Sequence, residues 1–417
     1  MVTRVKGTQD FLDLTLFNMI IDRVTKHCAL YQFNQIATPL LEYTELFKRS
    51  LGTQTDVVSK EMFLIEPHAE DTDAQICLRP EATASIVRAF IEGGIQTVPW
   101  KVFTWGPMFR YERPQKGRYR QFHQVSVEVI GAASIMHDVE LLVMFDRLFH
   151  EGFGLNNYAL QINFLGCMAD RQAYRSTLYD IVKNKHYDQI CSLCKDRLEK
   201  NIMRIFDCKN QQCQEIYAKV PKISDHLCKP CATEWATVKE QLDMLSISYI
   251  HEPRLVRGLD YYSKTVFEFV SGNLGAQNAF CAGGRYDQLV THLGGKEDQP
   301  SIGAAIGIER LMLLLADRAD QAAESKQALT VIVPMGIEQQ TVGLLLADEL
   351  RATGISVDLL LEGSFKSMMR RANKLGAKYA LLIGEDEQAS RQVTLKNMVT
   401  GEQERIAQTE VASRIRS

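Results

Sequence analysis

No apolar run in these 417 residues is long enough to cross a bilayer. The first ten residues, Met-Val-Thr-Arg-Val-Lys-Gly-Thr-Gln-Asp, lack the apolar centre of a signal peptide and already carry an acid. No sign of charge dominates either. The net charge is −3 and the pI about 6.3, so any nucleic acid must be met by local patches rather than by a global basic field. The two common glycine fingerprints for phosphate, GxGxxG and the P-loop, are missing, and the Gly283-Gly284 pair alone is a weak signal. These absences predict a cytoplasmic chain with no membrane span. What is present is ordinary: 46% hydrophobic and 24% charged residues, and length enough for two or three domains. The ten cysteines would, in a reducing compartment, be thiols or metal ligands.

One stretch stands out, Phe109–Gly131. Pro114-Gln115-Lys116-Gly117 is a turn signal between two runs that suit strands. Side chains alternate across a strand. One face of the return strand carries Arg120, Phe122, Gln124, Ser126 and Glu128, and the other His123, Val125, Val127 and Val129, which suits a core. Arg110 and Glu112 share a face on the outgoing side. A solvated hairpin face is the plain reading. A solvated face rarely sets Phe among Arg and Glu, however, and a cleft wall that holds an anion and a flat ring fits better.

In chain order, Leu16, Met19, Ile20, Val24 and Cys28 predict a helix over Thr15–Tyr31. The proline-bearing run Gln35–Glu42 predicts an edge or interface strand. Gln75–Arg79 predicts a short strand, Pro80-Glu81-Ala82-Thr83 opens a helix, and His137–Gly152 is another. Arg254–Phe269 is expected as one strand bent at Gly258. Ser301–Leu311 is a glycine-rich strand running into a helix, with Arg310 in its first turn. A cation is not favoured there, which suggests an anionic ligand or simply exposure. Asp317–Lys326 is expected as a linker. Beyond it, a β-α-β-α-β-β-β order predicts a small α/β domain. Its helix Ser364–Leu375 turns Met368, Ala372 and Leu375 inward and Lys366, Arg370, Arg371 and Lys374 outward.

Between Cys167 and Leu245 lie seven of the ten cysteines, in a polar, helix-rich segment that looks inserted. Six form Cys191-x2-Cys194, Cys208-x4-Cys213 and Cys228-x2-Cys231. Paired knuckles of this kind have zinc spacing, so one structural zinc is expected on Cys191, Cys194, Cys228 and Cys231. Reduced, partly buried thiols are the alternative.

These pieces resemble the class II aminoacyl-tRNA synthetases and, within them, the histidyl-tRNA synthetase family of bacterial type. Thr38-Pro39-Leu40-Leu41-Glu42 is similar to the end of class II motif 1. Phe109–Gln124 is similar to motif 2 and Gly303–Leu311 to motif 3. Leu255–Tyr262 and Gly283–Asp287 resemble the two histidine signatures, and Arg79–Thr83 the substrate loop. The resemblance implies an α+β fold. It comprises a six- to seven-stranded antiparallel sheet with flanking helices over residues 1–325, interrupted by the helical cysteine-rich insertion 167–248, and an α/β anticodon-binding domain over 326–417. It also implies a homodimer through motif 1.

The implied activity joins L-histidine to tRNA(His) through a histidyl-adenylate, consuming ATP with Mg2+. Arg110 and Arg257 would be catalytic, holding the α-phosphate and carboxylate. Arg110, Glu112, Arg118, Phe122 and Arg310 would bind ATP. Glu81, Thr83, Arg110, Gln124, Glu128, Arg257, Tyr261 and Tyr262 would bind histidine. Arg113, Gln115 and Lys116 would approach the acceptor end of the tRNA, and Arg370 and Arg371 its anticodon arm. No editing domain is visible. Two rivals are a non-catalytic regulatory paralogue of ATP phosphoribosyltransferase, usually without the C-terminal domain, and a tRNA-sensing module. The intact signatures and the absence of a kinase signature oppose both.

Overall fold

The computed structural model describes residues 2–53, 55–66, 75–259, 261–275, 278–318 and 328–416. It divides into two compact units, Met1–Ala319 and Asp320–Ser417. The linker expected over Asp317–Lys326 lies, from residue 319 onward, outside the described residues.

The first unit is built on an eight-stranded sheet. Its order is Asn34–Gln35, Trp100–Phe109, Gln121–Ile130, Ser301–Gly307, Ala279–Arg285, Ser263–Val270, Ala159–Phe164, Tyr249–His251. The six central strands pair antiparallel, as expected. Each outermost strand pairs parallel instead, which brings the count to eight. The hairpin Trp100–Phe109/Gln121–Ile130 buries Val125, Val127 and Val129 beneath the helices Thr15–Leu30, Met136–Arg147 and Ile308–Leu314. Full burial of such a side chain is worth about 1.5–3 kcal/mol. A slip of one residue would turn all three outward, so they decide that Phe122, Gln124 and Glu128 face the other way.

The stretch Arg254–Phe269 is not one strand. Only Ser263–Val270 joins the sheet, and the described residues before it, 254–259 and 261–262, run as a loop. Arg257, Tyr261 and Tyr262 therefore come from a loop. Arg257 pairs with Glu268 on the sheet, and the Tyr261 ring packs against Tyr262 and Tyr286.

From Gly166 the chain leaves the sheet through the helices Met168–Lys185, Ser192–Lys200, Gln211–Tyr217 and Lys229–Met244, and returns at Tyr249–His251. The expected four-cysteine set does not exist. Cys191 and Cys194 gather with Cys208 and Cys213, whereas Cys228 and Cys231 gather with Cys167 and Asp170. Spacing shows which thiols form knuckles. Only the path of the helices shows which knuckles meet.

In the second unit the sheet order is Val357–Leu359, Thr330–Pro334, Tyr379–Ile383, Gln392–Asn397, Gln403–Ala407, with the first three strands parallel and the last two antiparallel. A short helix, Glu385–Ser390, is additional to the expected order. Helix Phe365–Lys374 buries Met368 and Ala372 and leaves Lys366, Arg370, Arg371 and Lys374 exposed. Leu375, expected inside, is 45% exposed because the helix has ended before it.

Candidate active site

A cavity of about 300 Å³ opens on the face of the sheet opposite the valines. Arg110, Glu112, Arg118, Phe122, Gln124, Arg257 and Arg310 all line it. Arg110 sits just past the outgoing strand, where its N–H still bonds to the Arg120 carbonyl, at 2.9 Å. Its guanidinium donates to the Pro80 carbonyl at 2.9 Å and lies 5.4 Å from the Phe122 ring centre. Arg118 pairs with the buried Glu112. Arg310 donates to the Gly117 and Ala279 carbonyls, at 3.1 and 2.5 Å. Among the described residues no carboxylate pairs with it. Burial, and then the like charges of Arg118 and Arg110, pull it below the ordinary arginine value. Arg110 and Arg310, which form no ion pair among the described residues, suit a polyanion. Arg257 differs. Burial opposes its charge, but Glu268, which pairs with it, and Tyr262 and Tyr261 together outweigh burial and keep its proton more firmly than usual.

At the other end the site closes. Glu128 is 1% exposed. It accepts from the Thr83 hydroxyl at 2.6 Å and from the Tyr286 hydroxyl. Burial pushes its carboxyl up to about 8. The two hydrogen bonds oppose that rise and Glu81 adds to it. Glu81 accepts from the N–H groups of Thr83 and Ala84, at 2.7 and 2.9 Å, where the chain enters helix Thr83–Glu92. Burial nevertheless raises it. Tyr261 and Tyr262 have ring centres 4.5 Å apart, and Tyr261 lies 5.6 Å from Tyr286. The floor is bare by design of register: Glu128 stands opposite Gly303, and a Cβ there would come within 1.5 Å of its Oε2. Gln124 joins the two ends. Its Oε1 is buried and has no hydrogen-bond partner among the described residues. Such an atom costs roughly 1–3 kcal/mol unless a ligand satisfies it.

Seven of the twelve expected substrate residues line the cavity, and Glu81, Thr83, Glu128, Tyr261 and Tyr262 are buried beside it. Arg113, Gln115 and Lys116 lie on its exposed rim, in the turn of the hairpin. Arg370 and Arg371 belong to the second unit, on an exposed helix face. Three residues carry more than the sequence revealed. Tyr286 binds Glu128, and its position within the Gly283–Asp287 signature was the available clue. Glu268 holds Arg257 from the strand that follows it. Glu309 accepts from the His123 N–H and faces its Nδ1 at 2.9 Å, tying the third motif to the second. Behind Tyr286, the fully buried Arg285 pairs with Asp138 and donates to the Ala132 carbonyl at 2.8 Å, which fixes the strand end.

Residues 17–311 match the family model described as histidyl-tRNA synthetase, and residues 330–417 one described as an anticodon binding domain. The chain belongs to the histidyl-tRNA synthetase family. Among curated members, a histidine–tRNA ligase of Solidesulfovibrio magneticus is 43% identical over 420 residues, covering 100% of this chain and 97% of that protein. One from Aquifex aeolicus is 42% identical and covers 98% and 100%. The apo crystal structure of S. aureus histidyl-tRNA synthetase superposes with a TM-score of 0.83 at 34% identity, covering each chain completely. A Bacillus halodurans structure described as an ATP phosphoribosyltransferase regulatory subunit/histidyl-tRNA synthetase shares the fold at 21% identity, TM-score 0.62. Family membership spans both units. The sheet and the C-terminal domain are therefore those of a class II synthetase.

Proposed function

We propose that this chain joins L-histidine to tRNA(His) in two steps, through histidyl-adenylate, releasing diphosphate and then AMP. One observation carries the assignment of parts. Phe122, Gln124 and Glu128 share one face of a single strand; Phe122 and Gln124 line the cavity together with Arg110 and Arg257, and Glu128 is buried on the same face. Adenine would lie against Phe122, with its amino group toward Glu112, and the outer phosphates would rest between Arg118 and Arg310. Imidazole would lie toward Glu128, whose carboxyl near neutrality can give or take a proton as the ring requires. Tyr262 would take the other ring nitrogen, with Tyr261 along the pocket wall. Glu81, Thr83 and Gln124 would receive the ammonium and carboxylate.

The histidine carboxylate then meets the α-phosphorus between the two arginines. Phosphoryl transfer asks for positioning and charge stabilisation, and guanidinium offers both in a bidentate fork. Arg257 is prepositioned by Glu268, so it costs little to hold where charge develops. Among the described residues, Glu112, Glu268 and Glu309 of the cleft are engaged with Arg118, Arg257 and His123. Mg2+ would enter on the ATP phosphates, neutralising their charge. The second step brings the tRNA 3′-terminal hydroxyl to the adenylate, past Arg113, Gln115 and Lys116. Arg370 and Arg371 would face the anticodon arm.

The family implies a homodimer in the cytoplasm. Leu30, Leu40, Leu41 and Tyr43, around motif 1, are 77, 39, 52 and 60% exposed, an apolar patch that a second copy would cover. We place the insertion at 167–248 and the C-terminal domain at 326–417. The zinc expected in the insertion is not needed by this chemistry and would be structural. An amino-acid panel in ATP–pyrophosphate exchange tests the assignment. Histidine alone should drive exchange. Exchange with another amino acid, or none at all, overturns it.

A further inference from the structure

Seven cysteines and one aspartate of the insertion gather in two nests, and the adenylate chemistry uses neither. In one, the sulfurs of Cys191, Cys194, Cys208 and Cys213 all lie within 4.8 Å of one another. In the other, the ligand atoms of Cys167, Asp170, Cys228 and Cys231 meet the same limit. We propose that each nest holds one zinc ion, in a four-thiolate site and a site of three thiolates and one carboxylate, and that these ions staple the insertion.

The geometry fits before any ion enters. Four sulfurs bonded to one zinc at about 2.3 Å in a tetrahedron stand roughly 3.8 Å apart. The Cys191 and Cys208 sulfurs are 3.8 Å apart. That is far beyond the ~2.05 Å of a disulfide, and all ten cysteines are free. Plain packing does not explain the clusters. A buried thiol behaves as a small hydrophobe and gains nothing special from three others.

The surroundings are those of ligands. The Cys191 N–H donates to the Cys213 sulfur at 3.3 Å, and the Asn210 N–H to the Cys208 sulfur at 3.4 Å. Asp170 accepts from the N–H groups of Cys167 and Cys228, at 3.3 and 3.0 Å, which orients its carboxylate and leaves lone pairs for a metal. Helices Met168–Lys185, Ser192–Lys200 and Lys229–Met244 begin directly after Cys167, Cys191 and Cys228, so their positive ends face the negative charge that a filled nest would carry. Zinc would bind by ligand exchange without redox change. Four thiol protons leave the first nest and three the second, where Asp170 is already a carboxylate.

The nests have different places. The first ties two turns within the insertion. The second ties the point where the chain leaves the sheet to the helix by which it returns. Next to Asp170, Arg171 donates to the Tyr262 carbonyl at 2.5 Å. The root nest therefore positions the loop that bears Arg257, Tyr261 and Tyr262.

The test is metal content of the full chain purified without chelator, read by mass spectrometry and by release with a mercurial thiol reagent. Two zinc ions per chain are expected. The pair Cys194→Ser/Cys213→Ser should lose one and the pair Asp170→Ala/Cys231→Ser the other, with new protease cuts confined to residues 166–248. Cobalt exchanged into the unmutated chain should give thiolate charge-transfer absorption, a readout independent of how the variants fold. A metal-free chain, iron in place of zinc, or no cobalt–thiolate band overturns the proposal. Loss with only one pair overturns the other nest. Metal counts do not depend on the aminoacylation reading, so the two can fail separately.

Discussion

The two ends of the cleft handle polar groups in opposite ways. At the Glu128 end two hydroxyls already hold the acid, and burial keeps it near neutrality. At the Arg310 end, arginines crowd one another and lean on backbone carbonyls. The first arrangement suits selection of a small ring by hydrogen bonds, which rejects analogues lacking them by large factors. The second suits a highly charged ligand that supplies its own counter-charge. Arg257 and Arg110 stand between, where the two ligands must react.

That contrast can be broken experimentally. Arg257→Ala should lower adenylate formation roughly 10²–10³-fold with the fold intact; unchanged pyrophosphate exchange would remove it from the mechanism. Arg310→Ala should raise the KM for ATP about 10–100-fold, as expected for a lost hydrogen bond to a charged group of roughly 1.5–3 kcal/mol. The KM for histidine should stay put, and a matching rise in both would erase the division between the ends. Glu128→Gln should do the reverse, raising the KM for histidine about tenfold, the scale of one lost hydrogen bond, with ATP unaffected.

The same substitution sharpens the contrast through pH. Folded Glu128 keeps its proton to about 8, whereas its ordinary value is 4.5. Its contribution to stability is complete below 4.5 and is lost as pH rises through 8. Melting temperature across that window should fall less steeply in Glu128→Gln than in the unmutated chain. Superimposable profiles would show that burial does not raise this acid. The smallest effect belongs to the rim. Lys116→Ala should reduce the salt dependence of tRNA binding by about 0.7–0.9 in log–log slope, the value of one phosphate contact, and an unchanged slope would take Lys116 off the backbone.

Much of the cleft was legible because its chemistry is written along short stretches. Strand alternation placed Phe122, Gln124 and Glu128 on one face, and the helix start placed Arg310 in a first turn. The failures share a cause. Arg254–Phe269 has strand-like composition, yet only the part from Ser263 pairs in the sheet, where neighbouring strands are available. Tyr286 and Glu268 were in view as letters, but their partners, Glu128 and Arg257, lie 158 and 11 positions away, the first on a strand and the second in a loop.

The cysteines mark the boundary most clearly. Sequence by itself determined the family, the strand faces, the cation-rich turn and the existence of thiol knuckles, because each rests on spacing within one element. Tertiary structure alone decided which knuckles meet, that Asp170 joins three thiols, and that Glu128 lies over Gly303 as an acid held near neutrality. Those depend on distances between elements and on exclusion of water, and a one-dimensional spacing carries neither.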